Sequence, residues 1–198
     1  MRRSLLALTA FLAACGTIEP PNDPPTYTPP PDVATEGLIP ILVEATLPFD
    51  LEGTRAYAVR NPIVNYFEES DGIAPPESSE ILQGTWGEAG AVRRIKLTDG
   101  HYLIERIIEN TPELFTYQIW IFTNEAGRGV EQIVGIQRFT EVSENETAFS
   151  WSYKVKPKNA LTAIFVRRQL PALQNYLQSA VDGWSAAARE GVSTASAE

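Results

Sequence analysis

The apolar residues of this chain change period once along its length, and that change restricts the fold more than any other feature. Leu170, Leu173, Leu177, Val181, Trp184 and Ala188 recur at spacings of three and four, which places them on one face of a long helix. Before them, from Ile39 to Lys156, apolar residues lie in short, β-branched, partly alternating runs separated by turn residues, the pattern of strands. Many strands followed by one long helix make an α+β protein, in which the sheet finds its cover in that helix.

The spacing predicts strands at 39–49, 80–84, 91–97, 101–109, 114–123, 130–142 and 147–156. Two short helices are expected at 51–58 and 62–69, parted by Asn61-Pro62. The C-terminal helix is expected over 159–190, kinked or broken at Pro171, which cannot donate a backbone hydrogen bond. Gly191 and the small polar residues after it read as a stop and a loose tail, 191–198.

The N-terminus is of another kind. Arg2 and Arg3 precede an apolar run, Ser4 to Leu12, too short to span a bilayer. Then comes Leu12-Ala13-Ala14-Cys15, with the only cysteine of the chain. This order resembles the signal and lipobox of bacterial lipoproteins. The resemblance implies removal of residues 1–14, lipidation of Cys15, and a place in the cell envelope. Gly16 stands where an aspartate can direct inner-membrane retention, so the outer membrane is favoured if there is one. Residues 15–36 hold a run of prolines, which forbid helix and favour an extended, disordered tether. The domain proper is expected over 37–190.

Formal net charge is −9, and removal of Arg2 and Arg3 makes it more negative. Such a surface repels nucleic acid, and membrane contact is expected through the N-terminal lipid. With Cys15 consumed, no cysteine nucleophile remains. His101 is the only histidine, borders a tight turn, and is expected in water. The carboxylates show no metal-ligand spacing and no glycine-rich phosphate loop is present, so neither metal nor cofactor is expected and no catalytic residue is assigned.

Within 38–190, the stretches Gly90-Ala-Val-Arg-Arg-Ile-Lys-Leu-Thr-Asp-Gly100, Glu105-Arg106-Ile107, Tyr117-Gln-Ile119 and Thr147-Ala-Phe-Ser-Trp151 occur in that order of elements. Together they resemble the START-like, helix-grip superfamily, which includes polyketide cyclase/dehydrase-like proteins and the birch pollen allergen. The resemblance implies a curved antiparallel sheet of about seven strands around the C-terminal helix, with an apolar cavity between them. Members bind lipids, sterols, hormones or polyketides, and some are enzymes.

Reading Asp99-Gly100 as a two-residue hairpin loop sets Leu97 opposite Tyr102, Ile95 opposite Ile104, and Arg93 opposite Arg106, all on one face. Arg94 and Glu105 then form an outward pair. The same logic around Ser143–Glu146 sets Arg138 opposite Trp151, where a cation–π contact could form, and Ile136 opposite Tyr153. Phe149, Trp151 and Tyr153 point inward, and strand five adds Phe115, Tyr117, Ile119 and Ile121. The expected ligand site is therefore Arg93, Ile95, Tyr102, Ile104, Arg106, Tyr117, Ile119, Ile136, Phe149, Trp151 and Tyr153. Two opposed arginines would meet the carboxylate or phosphate of an amphiphilic guest, or lie at the rim beside acids such as Glu68, Glu69 or Glu88. A bulge would overturn that face. A reversed register would turn Glu105 inward, where it could serve as a general base.

Three functions fit. The first is an anchored protein that binds or carries a small hydrophobic or amphiphilic ligand. The second is a cyclase/dehydrase-like or hydrolytic enzyme using the same cavity. The third is an envelope interaction module with a filled core and an outer patch at Leu103, Trp120 and Phe122.

Overall fold

The computed structural model describes residues 18–195; the proposed lipidation site, Cys15, lies outside the described residues. Among the described residues, seven strands form one antiparallel sheet: β1 Ile39–Leu47, β2 Pro76–Gln83, β3 Val92–Leu97, β4 Tyr102–Asn110, β5 Leu114–Phe122, β6 Val130–Ser143 and β7 Glu146–Pro157. Their order is β1-β7-β6-β5-β4-β3-β2, a meander from β2 to β7 closed by β1 at the far edge. Between β1 and β2 lie helix α1, Leu51–Arg60, and a single 3-10 turn, Ile63–Tyr66. Asp50 caps α1, accepting from Gly53 N at 2.7 Å. The sequence puts a full helix over 62–69; only the 3-10 turn forms, because Pro62 opens it and Phe67 is already extended.

Helix α2, Ala160–Ala195, is the grip. Asn159 opens it by accepting from Leu161 N and Thr162 N at 3.0 Å, while its own N–H bonds Thr162 Oγ1, a reciprocal cap. The helix runs through Pro171 without a break and past Gly191 to Ala195, so neither expected interruption ends it. Its two halves differ. Tyr176, Leu177, Ala180, Val181, Trp184 and Ala188 are all buried. Trp184 Nε1 bonds Asn61 O at 2.8 Å and Tyr57 Oη bonds Trp184 O at 3.0 Å, which ties this half to α1. The first half spans open space above the sheet.

One turn and one bulge correct the sequence-derived register. The observed pairs are Arg93 with Glu105, Ile95 with Leu103 and Lys96 with Tyr102. Leu97 N bonds His101 O, and Gly100 N bonds Leu97 O. The loop is therefore three residues, Thr98-Asp99-Gly100, ending in Gly100 at φ +84°. That is the turn-plus-bulge alternative to a two-residue loop, and it slips the register by one residue. The β6–β7 turn is as expected, with Ser143 opposite Glu146, but a bulge between Glu141 and Ser143 shifts everything beyond it. Gly135, not Ile136, then faces Tyr153, and Gln137, not Arg138, faces Trp151.

The proline-rich residues expected as a free spacer lie instead against the outer face of the sheet. Pro20 sits over Gly100. Pro25 O accepts from Arg94 at 2.9 Å, Thr28 O from Trp120 Nε1 at 3.2 Å, and Asp32 O from Gln132 at 3.0 Å. Pro31 O accepts from both Arg106 and Gln118 at 3.3 Å. The segment thus crosses β3 to β6 diagonally before Gly37 turns it into β1. Extended proline-rich backbone makes no internal hydrogen bonds, so its carbonyls are free for these donors. Under it, Gln118 and Gln132 are 0% and 1% exposed and bond each other at 2.7 Å.

Candidate functional site: a cavity between sheet and helix

Between the inner face of β3–β7, the first half of α2 and the 3-10 turn lies a cavity of about 660 Å³. That volume is in the range of small-molecule sites, about 300–1,000 Å³. The interior is hollow, as the cavity reading expects and the filled-core alternative does not.

The walls are built by strand alternation. Strand β7 contributes Phe149, Trp151, Tyr153 and Val155; β5 contributes Phe115, Tyr117, Ile119 and Phe122; β3 contributes Ile95 and Leu97. Leu170, Leu173 and Tyr176 of α2, with Phe67, form the roof. Phe67 stacks on Tyr176 with centroids 4.6 Å apart. Trp151 Nε1 donates to Tyr117 Oη at 3.1 Å, so this bulky wall residue keeps its indole N–H satisfied inside a mainly apolar space.

Several polar side chains border the cavity, Arg55, Asp71, Asn110, Asn124 and Gln137 among them, and one opposed pair stands on the sheet. Arg93 and Glu105 face each other across β3 and β4, both line the cavity, and their ion pair closes at 2.5 Å. The Arg93 guanidinium also lies 3.8 Å from the Trp86 ring centroid, a cation–π contact. Burial pushes the Tyr117 phenol well above its ordinary value, with Tyr153 and Glu105 adding to the rise and Trp151 and Arg93 opposing it. Burial raises Tyr153 as well, Glu105 and Tyr176 adding to it. Both phenols are therefore protonated donors across the physiological range.

Of the expected site residues, Arg93, Ile95, Tyr117, Ile119, Phe149, Trp151 and Tyr153 line the cavity. Tyr102, Ile104 and Arg106 do not: the three-residue hairpin turns them to the outer face, where Arg106 bonds Gln118 at 2.8 Å. Ile136 is turned outward by the β6 bulge. The two-arginine anion site therefore does not exist. Arg93 is neutralised by Glu105, and Arg94 pairs with Glu80 rather than Glu105. Arg138 is exposed opposite Ser150, not Trp151; Arg55, like Arg93, sits on an aromatic face, 4.6 Å above Phe139. His101 is buried, its Nδ1 3.1 Å from Thr123 Oγ1, outside the cavity.

The expected outer patch also dissolves. The three-residue hairpin turns Leu103 inward opposite Ile95, a shift in the β4–β5 register brings Phe122 beside it in the cavity wall, and Trp120 lies under the proline-rich segment. Residues missed by the sequence reading include Trp86, Phe67 and the α2 roof. Among the described residues, no cluster of His, Cys, Asp or Glu could hold a metal ion.

No family model matches the chain, and no curated protein matches it. Solved structures do. The protein Ara h 8.0201 aligns at TM-score 0.55 and 18% identity, over 76% of this chain and 99% of that one. A norcoclaurine synthase of Thalictrum, solved with a transition-state analogue, aligns at TM-score 0.54 and 14% identity, over 78% and 97%. A protein of Thermus thermophilus aligns at TM-score 0.55 and 12% identity, over 77% and 99%. At such identities the likeness is one of fold: this chain has the helix-grip fold of the START-like and birch-pollen-allergen-like proteins.

Proposed function

We propose that this protein is a lipid-anchored carrier of the bacterial cell envelope, held through Cys15, whose cavity binds a small hydrophobic guest without transforming it. The outer membrane is the favoured location where two membranes exist. The observation that carries the reading is the cavity: about 660 Å³ with mainly aromatic and aliphatic walls and a polar corner at Arg93 and Glu105. Because Glu105 cancels the charge of Arg93, that corner suits a neutral hydrogen-bonding group, a hydroxyl or carbonyl, rather than a carboxylate. Native mass spectrometry of the purified full chain tests this. A bound neutral lipid-like mass that is lost on denaturation supports it, and a protein that stays empty when offered such compounds contradicts it.

A second reading rests on Glu105. A carboxylate beside Arg93, with Tyr117 and Tyr153 across the same cavity, has the makings of a proton-transfer set, and the Thalictrum neighbour is an enzyme on this fold. Turnover of an aromatic polyketide or related carbonyl compound that Glu105→Gln abolishes would favour catalysis over carriage.

A further inference from the structure

A groove of about 420 Å³ lies between the 125–129 loop and the first turns of α2. Glu125, Ala126, Val166 and Gln169 line both this groove and the main cavity, so it leads to the cavity's mouth. Beside it stand Leu161, Ile164 and Phe165, which are 74%, 51% and 61% exposed. With Arg168 they occupy positions i, i+3, i+4 and i+7 of α2, one face of the helix. Val166, Leu170 and Leu173 take the opposite, cavity-facing side. The outward face is apolar where a monomer in water gains nothing from it.

Charge from β7 into the first half of α2 runs against the rest of the chain. Net charge is −9, yet no Asp or Glu occurs between Glu146 and Asp182. Lys154, Lys156, Lys158, Arg167 and Arg168 all fall in that interval. Lys156 is matched by Glu131 at 2.9 Å; Lys158, Arg167 and Arg168 are exposed around the apolar face.

The path of the N-terminal segment supplies an independent direction. Pro20 covers Gly100 in the β3–β4 turn. The neighbouring His101 bonds Thr123, and Lys158 N bonds Gly129 O at 3.0 Å. The β3–β4 turn, the 124–129 loop and the start of α2 thus share one end of the sheet. Cys15 is three residues before Ile18, a reach of at most about 10 Å.

We infer that this end of the domain docks on a phospholipid bilayer carrying anionic headgroups, with Leu161, Ile164 and Phe165 entering the interface and Arg167 and Arg168 meeting phosphates. An apolar helix face bordered by basic residues has the chemistry of an interfacial helix. The inference rests on the carrier reading, and it specifies the route: the cavity's mouth opens toward the membrane, so a guest passes between bilayer and cavity without crossing open water.

The full chain carrying Cys15→Ser has no native thiol, so a single environment-sensitive fluorophore can be placed through Leu161→Cys or, at the opposite end of the sheet, through Val142→Cys. Each is mixed with phosphatidylethanolamine/phosphatidylglycerol vesicles containing a spin-labelled lipid. The expected result is a blue shift and quenching at 161 and neither at 142. Arg167→Glu/Arg168→Glu should weaken binding about tenfold or more, and pure phosphatidylcholine vesicles should do the same. Equal signals at both positions, a signal at 142 alone, or none at either overturns the inference. Guest binding is measured on the same proteins without vesicles. Loss there with immersion at 161 retained would remove the carrier and leave the docking.

Discussion

Arg93 and Glu105 are directly opposed on neighbouring strands, and their 2.5 Å ion pair lies in the wall of a mainly apolar cavity. The pair exists because Gly100 closes a three-residue hairpin. A loop one residue shorter would bring Arg106 to that place and leave two like charges in contact.

Removing one member should therefore be worse than removing both. Glu105→Ala leaves Arg93 without its partner in a mostly buried site and should cost about 3 kcal/mol. Arg93→Met/Glu105→Leu should unfold within about 1 kcal/mol of wild type, because apolar replacement of a buried pair is close to neutral. Urea denaturation of the three proteins checks the order. The double variant should also lose preference for guests bearing a hydroxyl.

Tyr117 depends on Gly135. A Cβ at 135 would fall 2.1 Å from Tyr117 Cζ, so Gly135→Ala must displace the ring and break the bond from Trp151. A loss of about 1–3 kcal/mol is expected from such overpacking. Tyr117→Ala in the Gly135→Ala background should cost less than the two single losses added, which a double-mutant cycle in denaturant measures.

The proline-rich segment should behave as part of the domain. Gln132→Ala removes acceptor and donor for Ala34 and Asp32 and leaves Gln118 without a side-chain partner across β5 and β6, at a cost of about 1–3 kcal/mol. Amide hydrogen exchange at residues 32–36 should quicken. Guest affinity should stay unchanged, because the cavity is on the other face of the sheet.

Alkaline pH should unfold the protein by a definite route. Burial raises Tyr117, Tyr153 and Tyr176 above the ordinary 10.0, so the folded state holds protons that the unfolded chain gives up. The stabilisation is whole below pH 10.0 and is lost as pH rises beyond it. Tyrosinate absorbance at these positions should appear together with the loss of near-ultraviolet circular dichroism, not before it.

Much of this architecture is readable from residue order. Phe149, Trp151 and Tyr153 alternate with small or polar partners, and an unbroken alternation reports its own face. The helix face from Leu170 to Ala188 is equally plain. Pattern alone puts Tyr102, Ile104, Arg106 and Ile136 on the wrong side, through one-residue slips at Gly100 and at the β6 bulge. Period-two patterning cannot sense an extra residue where both faces carry apolar side chains. The docking of residues 20–34 is hidden for a different reason. Proline-rich backbone carries no pattern of its own, and its partners Arg94, Arg106, Gln118, Trp120 and Gln132 are distant in sequence. Glu105 comes into the cavity through the same slip that expels Arg106.

Occupancy of the space beneath the first half of α2 is the decisive matter. Binding of the neutral fluorophore 1-aminoanthracene should be saturable in wild type and fall at least about tenfold in Ile95→Trp/Ile119→Trp, whose indoles fill the cavity while thermal unfolding stays cooperative. Unchanged affinity in that folded, plugged variant would contradict a guest held between sheet and helix.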